Sequence, residues 1–418
     1  MNDIPALLQQ ISQQDPAIGA FWQLDADGAL APRRPGQGPL DGVAIGIKDN
    51  VDVAGLRTTA GLAAFRHRVA AEDAPCVRAL RAAGLVILGK LAMHEGALGA
   101  TTDTPGFGRC MNPLRDGFTP GGSSGGSGAA VAAGFVPLAL GTDTMGSVRI
   151  PAAYCGVVGL MPTTGLIGRS GVVALAPSLD HVGMLARTPR MAALGLEAMV
   201  CEDPGDPAWR PAPVDWRAVP DAPPNFASLR IGLPEPILAA QMDPALRTAW
   251  TAAATRLREA GAMVEPVPMP AWDPTAARRA GLLLLEAEAA ALYPDLIDDP
   301  QAATPGFRAA LAYGRDAGTL RLVRALFRLE QVKAEALRAL DRYDALLMPT
   351  APQRAFAHGT PAPVDQADFT ALANFAGLPS IALPWPAADG GLPASVQLVG
   401  RPYAEALLVG IAEALSQP

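Results

Sequence analysis

The chain has 418 residues, 50% of them apolar and 17% charged, with a formal net charge of −7. Such a composition supports a large core and excludes disorder as the main state. An acidic balance with no block of like charge argues against nucleic acid or an anionic membrane as partner.

Cys76, Cys110, Cys155 and Cys201 show no Cys-x-x-Cys spacing and are too few for a disulfide framework, so reduced, mostly buried thiols are expected. His67, His94, His181 and His358 are scattered without metal-ligand spacing, and no metal or cofactor is expected. The first residues lack a basic segment followed by an apolar one, and no apolar run reaches 18 residues. A cytoplasmic location follows as the expectation.

In chain order, residues 3–14 read as a short amphipathic helix with Asn2 or Asp3 as cap. Val43–Ile47 is an apolar, β-branched run suited to a buried strand. Ala74–Ala83 reads as a helix that Asp73 can cap, with Pro75 in its first turn and Gly84 ending it, and Leu85–Leu88 as the next strand. Gly128–Ala133 is small and uncharged, as a helix buried on all sides should be, and Val136–Leu140 is a strand ending at a Gly141 loop. The chain then turns Pro-rich near 201–228. Leu229–Leu233 and Met263–Val267 are strands around a helix at Pro244–Ala260, and residues 274–342 form a helical insertion. Ala345–Met348 and Ala394–Val399 return to the sheet before a final helix at Ala404–Leu415. Strands drawn from both ends of the chain predict an α/β fold. It is a single domain over 1–418 with a mixed, mostly parallel central sheet covered by helices on both faces.

Two serines sit on separate Gly-rich segments, Ser123 in Thr119-Pro-Gly-Gly-Ser-Ser-Gly-Gly-Ser127 and Ser147 at the end of Gly141-Thr-Asp-Thr-Met-Gly-Ser. Neither has a histidine beside it. A serine hydroxyl needs a base, and a lysine whose pKa is lowered by burial can serve. Lys48 closes the Val43–Ile47 strand and is the candidate; a surface lysine paired with Asp49 is the plain alternative. The segment from Gly141 to Ser147 can present consecutive N–H groups toward one point, as an oxyanion hole requires. No Gly-x-x-x-x-Gly-Lys-Ser/Thr is present, and neither serine sits in a Gly-x-Ser-x-Gly elbow with Asp and His partners, which argues against nucleotide binding and an α/β-hydrolase.

Lys48-Asp49-Asn50, the glycine–serine stretch at 121–127 and Gly146-Ser-Val-Arg-Ile-Pro151 closely resemble the amidase signature family. Segments such as Met93-His-Glu95, Cys155-Gly-Val-Val-Gly159, Ser178-Leu-Asp-His-Val-Gly183, Leu347-Met-Pro-Thr350 and Ser395-Val-Gln-Leu-Val-Gly400 extend the resemblance over most of the chain. It implies a Ser–Ser–Lys amidohydrolase: Ser147 as nucleophile, Ser123, on a cis peptide, as proton relay, and Lys48 as base. Backbone N–H groups of Thr144, Met145, Gly146 and Ser147 would hold the oxyanion. Ser124 and Ser127 would brace the loop, and Asp143 and Asp180 would be structural acceptors. By the same resemblance, Lys90–Leu98, with Met93 and Ala97, would line one pocket wall, and the 274–342 helices the other.

Two positions depart from the family pattern. Met145 stands where relatives carry glycine, which requires either an ordinary backbone angle or stored strain, with its side chain entering the pocket or turned from it. Met161 stands where lysine is common and is expected to alter packing only. The expected activity is hydrolysis of a linear carboxylic amide, with a small-molecule amide as partner, no nucleic acid, no membrane, and a homodimer as assembly. The alternatives are the amidase subunit of a tRNA-dependent amidotransferase and an inactive amidase-like binding protein.

Overall fold

The computed structural model describes residues 3–33, 35–36, 38–387 and 389–417. Its centre is an eleven-stranded mixed sheet. In chain order the strands are β1 (Phe21–Leu24), β2 (Ala44–Lys48), β3 (Val86–Leu91), β4 (Leu138–Asp143), β5 (Val158–Met161), β6 (His181–Ala186), β7 (Arg230–Pro234), β8 (Met263–Val267), β9 (Ala345–Pro349), β10 (Ser380–Trp385) and β11 (Ala394–Gly400). Their spatial order is β1-β3-β2-β4-β6-β5-β10-β11-β9-β7-β8. Parallel pairing is held by two blocks, β3-β2-β4 and β9-β7-β8, while the strands between them pair antiparallel.

Helices cover both faces, and the strands show why. Side chains alternate along a strand. In β2, Ala44 joins one apolar cluster with the helices Ile4–Ile18 and Gly125–Ala132, while Ile45 and Ile47 join the other. In β4, Ala139 divides from Leu138 and Leu140 in the same way. Every residue of β2, β3, β4 and β6 is buried, the polar Lys48, Lys90, Thr142, Asp143 and His181 included, so no polar alternation marks these strands.

The first helix spans Ile4–Ile18, longer than expected, and Gly19 closes it in the left-handed conformation. The Asp3 carboxylate accepts from the Ala6 N–H as its cap, while Asn2 lies outside the described residues. Asp73 does not cap Pro75–Ala82; its carboxylate accepts from the Ala54 N–H and Arg81 Nε instead. The buried glycine-rich helix starts at Gly125, inside the glycine–serine stretch and earlier than expected.

β4 does not stop at Gly141. Gly141, Thr142 and Asp143 pair with Gly183, Val182 and His181 of β6, so strand pairing carries the chain through Asp143 and the loop begins at Thr144. Between Val200 and Asn225 there is neither helix nor strand, as the prolines predict. Helices Pro274–Leu292, Pro294–Asp298, Pro305–Arg315 and Thr319–Leu340 fill the segment expected to be helical. Among the described residues, no helix is long and apolar enough to cross a membrane.

Candidate active site

Lys48 ends β2 with no exposed surface. Its Nζ donates to Ser123 Oγ at 2.7 Å, to Thr142 Oγ1 at 2.7 Å and to the Thr142 carbonyl at 3.3 Å. Burial lowers its pKa from 10.5 to about 7, and the negative charges of Asp143 and Asp180 offset only part of that fall. The pairing with Asp49 is not made. Asp49 faces the equally buried Lys90, with 3.3 Å between Lys90 Nζ and Asp49 Oδ1. A buried amine among hydroxyls, with no carboxylate in contact, can exist neutral near pH 7.

Ser123 follows a cis peptide bond from Gly122. Its hydroxyl accepts from Lys48, and its carbonyl accepts from the His94 N–H at 3.0 Å. His94 is half-buried, and desolvation of its ring lowers its pKa to about 4, so it stays neutral. The Ser124 N–H donates to the Ser147 carbonyl at 3.2 Å, which ties the two serine segments together. Ser124 Oγ donates to the Thr142 carbonyl at 3.1 Å, and Ser127 Oγ to the Leu140 carbonyl at 2.9 Å. Both hydroxyls therefore strap the helix Gly125–Ala132 to β4. No hydrogen bond joins Ser147 Oγ to Ser123 Oγ among the described residues.

The loop after β4 is built around one buried carboxylate. Asp143 Oδ1 accepts from the Gly146 N–H at 2.6 Å, Arg149 Nη2 at 3.0 Å and Asn374 Nδ2 at 2.9 Å. Asp143 Oδ2 accepts from the Val148 N–H at 3.0 Å and Arg149 Nε at 3.1 Å. Burial pushes the Asp143 pKa up, but the Arg149 charge and these hydrogen bonds outweigh it and hold the carboxyl well below its usual range. Thr144 Oγ1 donates to Asp180 Oδ1 at 2.6 Å, and the Met145 carbonyl accepts from Thr370 Oγ1 at 2.6 Å. Gly146 takes φ +135°, and a Cβ there would lie 2.3 Å from Thr370 Oγ1, so only glycine fits.

These anchors decide which loop N–H groups remain free. The Gly146 N–H is taken up by Asp143, which removes it from the expected oxyanion donors. The N–H groups of Thr144, Met145 and Ser147 donate to no protein group among the described residues. The same three residues line a cavity of about 180 Å³, and Gly146 does not. Met145 has no positive φ, so the loop is built without strain at that position. Its side chain lies in the cavity wall, where the sulfur closely approaches Gly281 of the helix Pro274–Leu292. Met161 is buried in β5 and its sulfur accepts from Asn374 Nδ2 at 3.3 Å, a packing role beside the Asp143 cluster.

Ala97 lines the cavity as expected and does so in the left-handed region, φ +61°. Met93 does not; it is buried in the core, and the wall continues instead through Leu98, Gly99 and Ala100. The helical segment contributes Arg278, Leu282 and Leu285, and a third wall comes from residues 363–367. Lys48 and Ser123 are absent from the lining and fully buried, although Gly122, the residue before Ser123, lines the cavity with Ser147.

Sequence reasoning missed Arg149, Thr142, Thr370 and Asn374. For Arg149 a signal was available: a lone cation inside the helix Arg149–Cys155, whose other residues are apolar and all of which are buried, needs a buried anion. Thr370 and Asn374 reach the loop across more than 220 residues of chain and leave no local signal.

Against known proteins, the family described as Amidase matches residues 4–409. The chain is 35% identical to a glutamyl-tRNA(Gln) amidotransferase subunit of Symbiobacterium thermophilum, covering 97% of this chain and 90% of the relative. It is 37% identical to the corresponding subunit of Anaeromyxobacter sp. (strain K), covering 99% and 92%. Among solved structures it is similar to a chain of a vestigial protein complex described as revealing the evolutionary origins of an s-triazine catabolic enzyme (TM-score 0.91, 34% identity, 99% of this chain and 93% of that one). It is also similar to the native peptide amidase of Stenotrophomonas maltophilia (TM-score 0.85, 31% identity, 99% and 92%).

These relatives overturn the expectation of a small-molecule amide as the sole partner, with nucleic acid excluded and a homodimer as the assembly. Near-full-length relatives are subunits whose name includes a tRNA, and a solved neighbour is a complex. The error lies in the use of net charge, which sums the whole surface and is silent about the one face a partner meets. With this sheet, this buried Lys48–Ser123 pair and a family match over nearly its whole length, the chain belongs to the amidase family and is an enzyme acting on amide C–N bonds.

Proposed function

We propose that the protein hydrolyses a carboxylic amide through an acyl-enzyme on Ser147. Ser147 Oγ attacks the carbonyl carbon while its proton passes to Ser123 Oγ, whose own proton passes to neutral Lys48 Nζ. The N–H groups of Thr144, Met145 and Ser147 stabilise the oxyanion. Collapse breaks the C–N bond, and the proton returns through Ser123 to the leaving nitrogen. Water then attacks the ester on Ser147, giving up its proton through the same relay, and releases the acid. The observation that carries this reading is the 2.7 Å hydrogen bond between the fully buried Lys48 Nζ and Ser123 Oγ, with a cavity lined by Ser147; once Lys48 is neutral, its lone pair can accept the Ser123 proton. Catalytic hydrogen bonds often close only once substrate is bound, so the open Ser147–Ser123 contact is compatible with it.

The reading includes one domain in which residues 274–342 wall the cavity. A reducing cytoplasmic setting suits the four free cysteines. The test is ammonia release from an amide panel by the purified chain. Release lost in Ser147→Ala and in Lys48→Met, with both variants folded, supports the reading; release retained in Ser147→Ala overturns it.

A second reading is the amidase subunit of a tRNA-dependent amidotransferase, favoured by the relatives named above at 35% and 37% identity. It requires a further subunit for full activity. Ammonia release that rises only when a co-purifying subunit is added supports it, and full release by the chain alone argues against it.

A further inference from the structure

Arg278 is the one charged residue among the described residues lining the cavity. It sits in the first turns of the helix Pro274–Leu292, and only 5% of its surface is exposed. Its Nε is committed to Asp368 Oδ1, and Thr275 Oγ1 donates to Asp368 Oδ2 at 2.6 Å, so the carboxylate fixes one edge of the guanidinium. The two terminal nitrogens, Nη1 and Nη2, donate to nothing among the described residues, and neither is sealed from solvent space. The rest of that wall is apolar: Leu282, Leu285, Pro363 and Val364.

A nearly buried guanidinium with one edge held by protein and the other open to a cavity is a preformed site for a planar, two-oxygen anion. Gln366, a polar residue of the same lining, is already used: its Oε1 accepts from the Tyr154 hydroxyl and its Nε2 donates to the Pro363 carbonyl. A phosphate would bring a further oxygen and more charge, and the lining offers no second cation to meet them. We propose that the amide substrate carries a carboxylate, which Arg278 Nη1 and Nη2 receive as a bidentate pair while the amide carbonyl lies at Ser147. Arg278 is then a specificity-determining residue, and the substrate class is the half-amide of a dicarboxylic acid. This assignment rests on the amidase reading above for the position of the amide.

The test uses the Ser147→Ala protein, so that amides bind without turning over. Calorimetric titration compares succinamate, glutaramate and adipamate with butyramide, valeramide and hexanamide, in which a methyl replaces the carboxylate. At least one half-amide is expected to bind ~10- to 100-fold more tightly than its neutral counterpart. That gap should vanish on adding Arg278→Gln and return in part with Arg278→Lys. Equal binding of the two series, no binding of any half-amide, or a gap that persists without Arg278 overturns the proposal. The ligand comparison needs no substitution at Arg278, so it stands even where Arg278→Gln fails to fold. Ammonia release by the unaltered enzyme separates the two claims. Tight half-amide binding without release overturns the amidase reading alone, and release from neutral amides with no preference overturns the Arg278 assignment alone.

Discussion

The sulfur of Met145 packs onto the backbone of Gly281. A Cβ added at Gly281 would lie 2.8 Å from Met145 Sδ and 2.5 Å from the ring of Phe375. The loop that carries the free N–H groups and the helix that carries Arg278 are therefore fitted to each other at one glycine and one methionine.

Gly281→Ala should destabilise the protein by about 1–3 kcal/mol, the usual cost of overpacking a filled site. Urea denaturation measures it. Met145→Ala removes one of the two clashing groups and opens the cavity wall. It should extend the amides accepted to bulkier ones, read as a lower KM for the larger members of a panel with kcat for the smallest little changed.

Activity should rise with pH through about 7, because Lys48 accepts a proton only as the neutral amine and burial lowers its pKa to about 7. Stability follows with the same sign. Between about 7 and the ordinary lysine value of 10.5 the unfolded chain holds the proton that the folded chain has lost. Stability therefore climbs with pH across that window. Lys48→Met should lack both the activity and this part of the slope, which paired denaturation curves at pH 7 and 9 would reveal.

Arg149→Met leaves the Asp143 carboxylate buried without a cation, although Asn374 and two backbone N–H groups still reach it. Breaking a buried pair in this way costs about 3–5 kcal/mol. Because Asp143 also shapes the loop through Gly146 and Val148, ammonia release should fall even at temperatures where the variant is folded. An Arg149→Met protein with unaltered stability would contradict the role given to this pair.

Ser124→Ala and Ser127→Ala should be milder. Each removes one hydroxyl that donates to a β4 carbonyl, a loss of about 1 kcal/mol, and neither hydroxyl touches the cavity. Thermal melting should register both, while kcat stays far closer to the parent than in Ser123→Ala.

What could be read in advance follows the range of the interactions. Lys48, Ser123 and Ser147 lie in glycine-rich or strand-end segments whose chemistry is local, and their resemblance to one family covers the chain. The strands β5, β6 and β10 were not legible, because all or most of their residues are buried and no polar alternation marks them. The end of β4 was misjudged for a related reason. Gly141 reads as a loop residue, yet in the sheet it faces Gly183 of β6, and pairing outweighs propensity there. The withdrawal of the Gly146 N–H from the proposed oxyanion donors depends on where Asp143 points, which no spacing encodes. Arg278 was equally hidden: it and its exposed neighbour Arg279 look alike in sequence, and only the helix phase turns one of them toward the cavity.

In the proposed mechanism Ser147 is a nucleophile activated through Ser123 by Lys48. Peptide mass spectrometry after fluorophosphonate treatment, followed as a function of pH, tests it most directly. An adduct is expected on Ser147 that forms faster as pH rises through about 7 and forms slowly or not at all in folded Lys48→Met. An adduct on another residue, or labelling of Ser147 at an unchanged rate without Lys48, would contradict it.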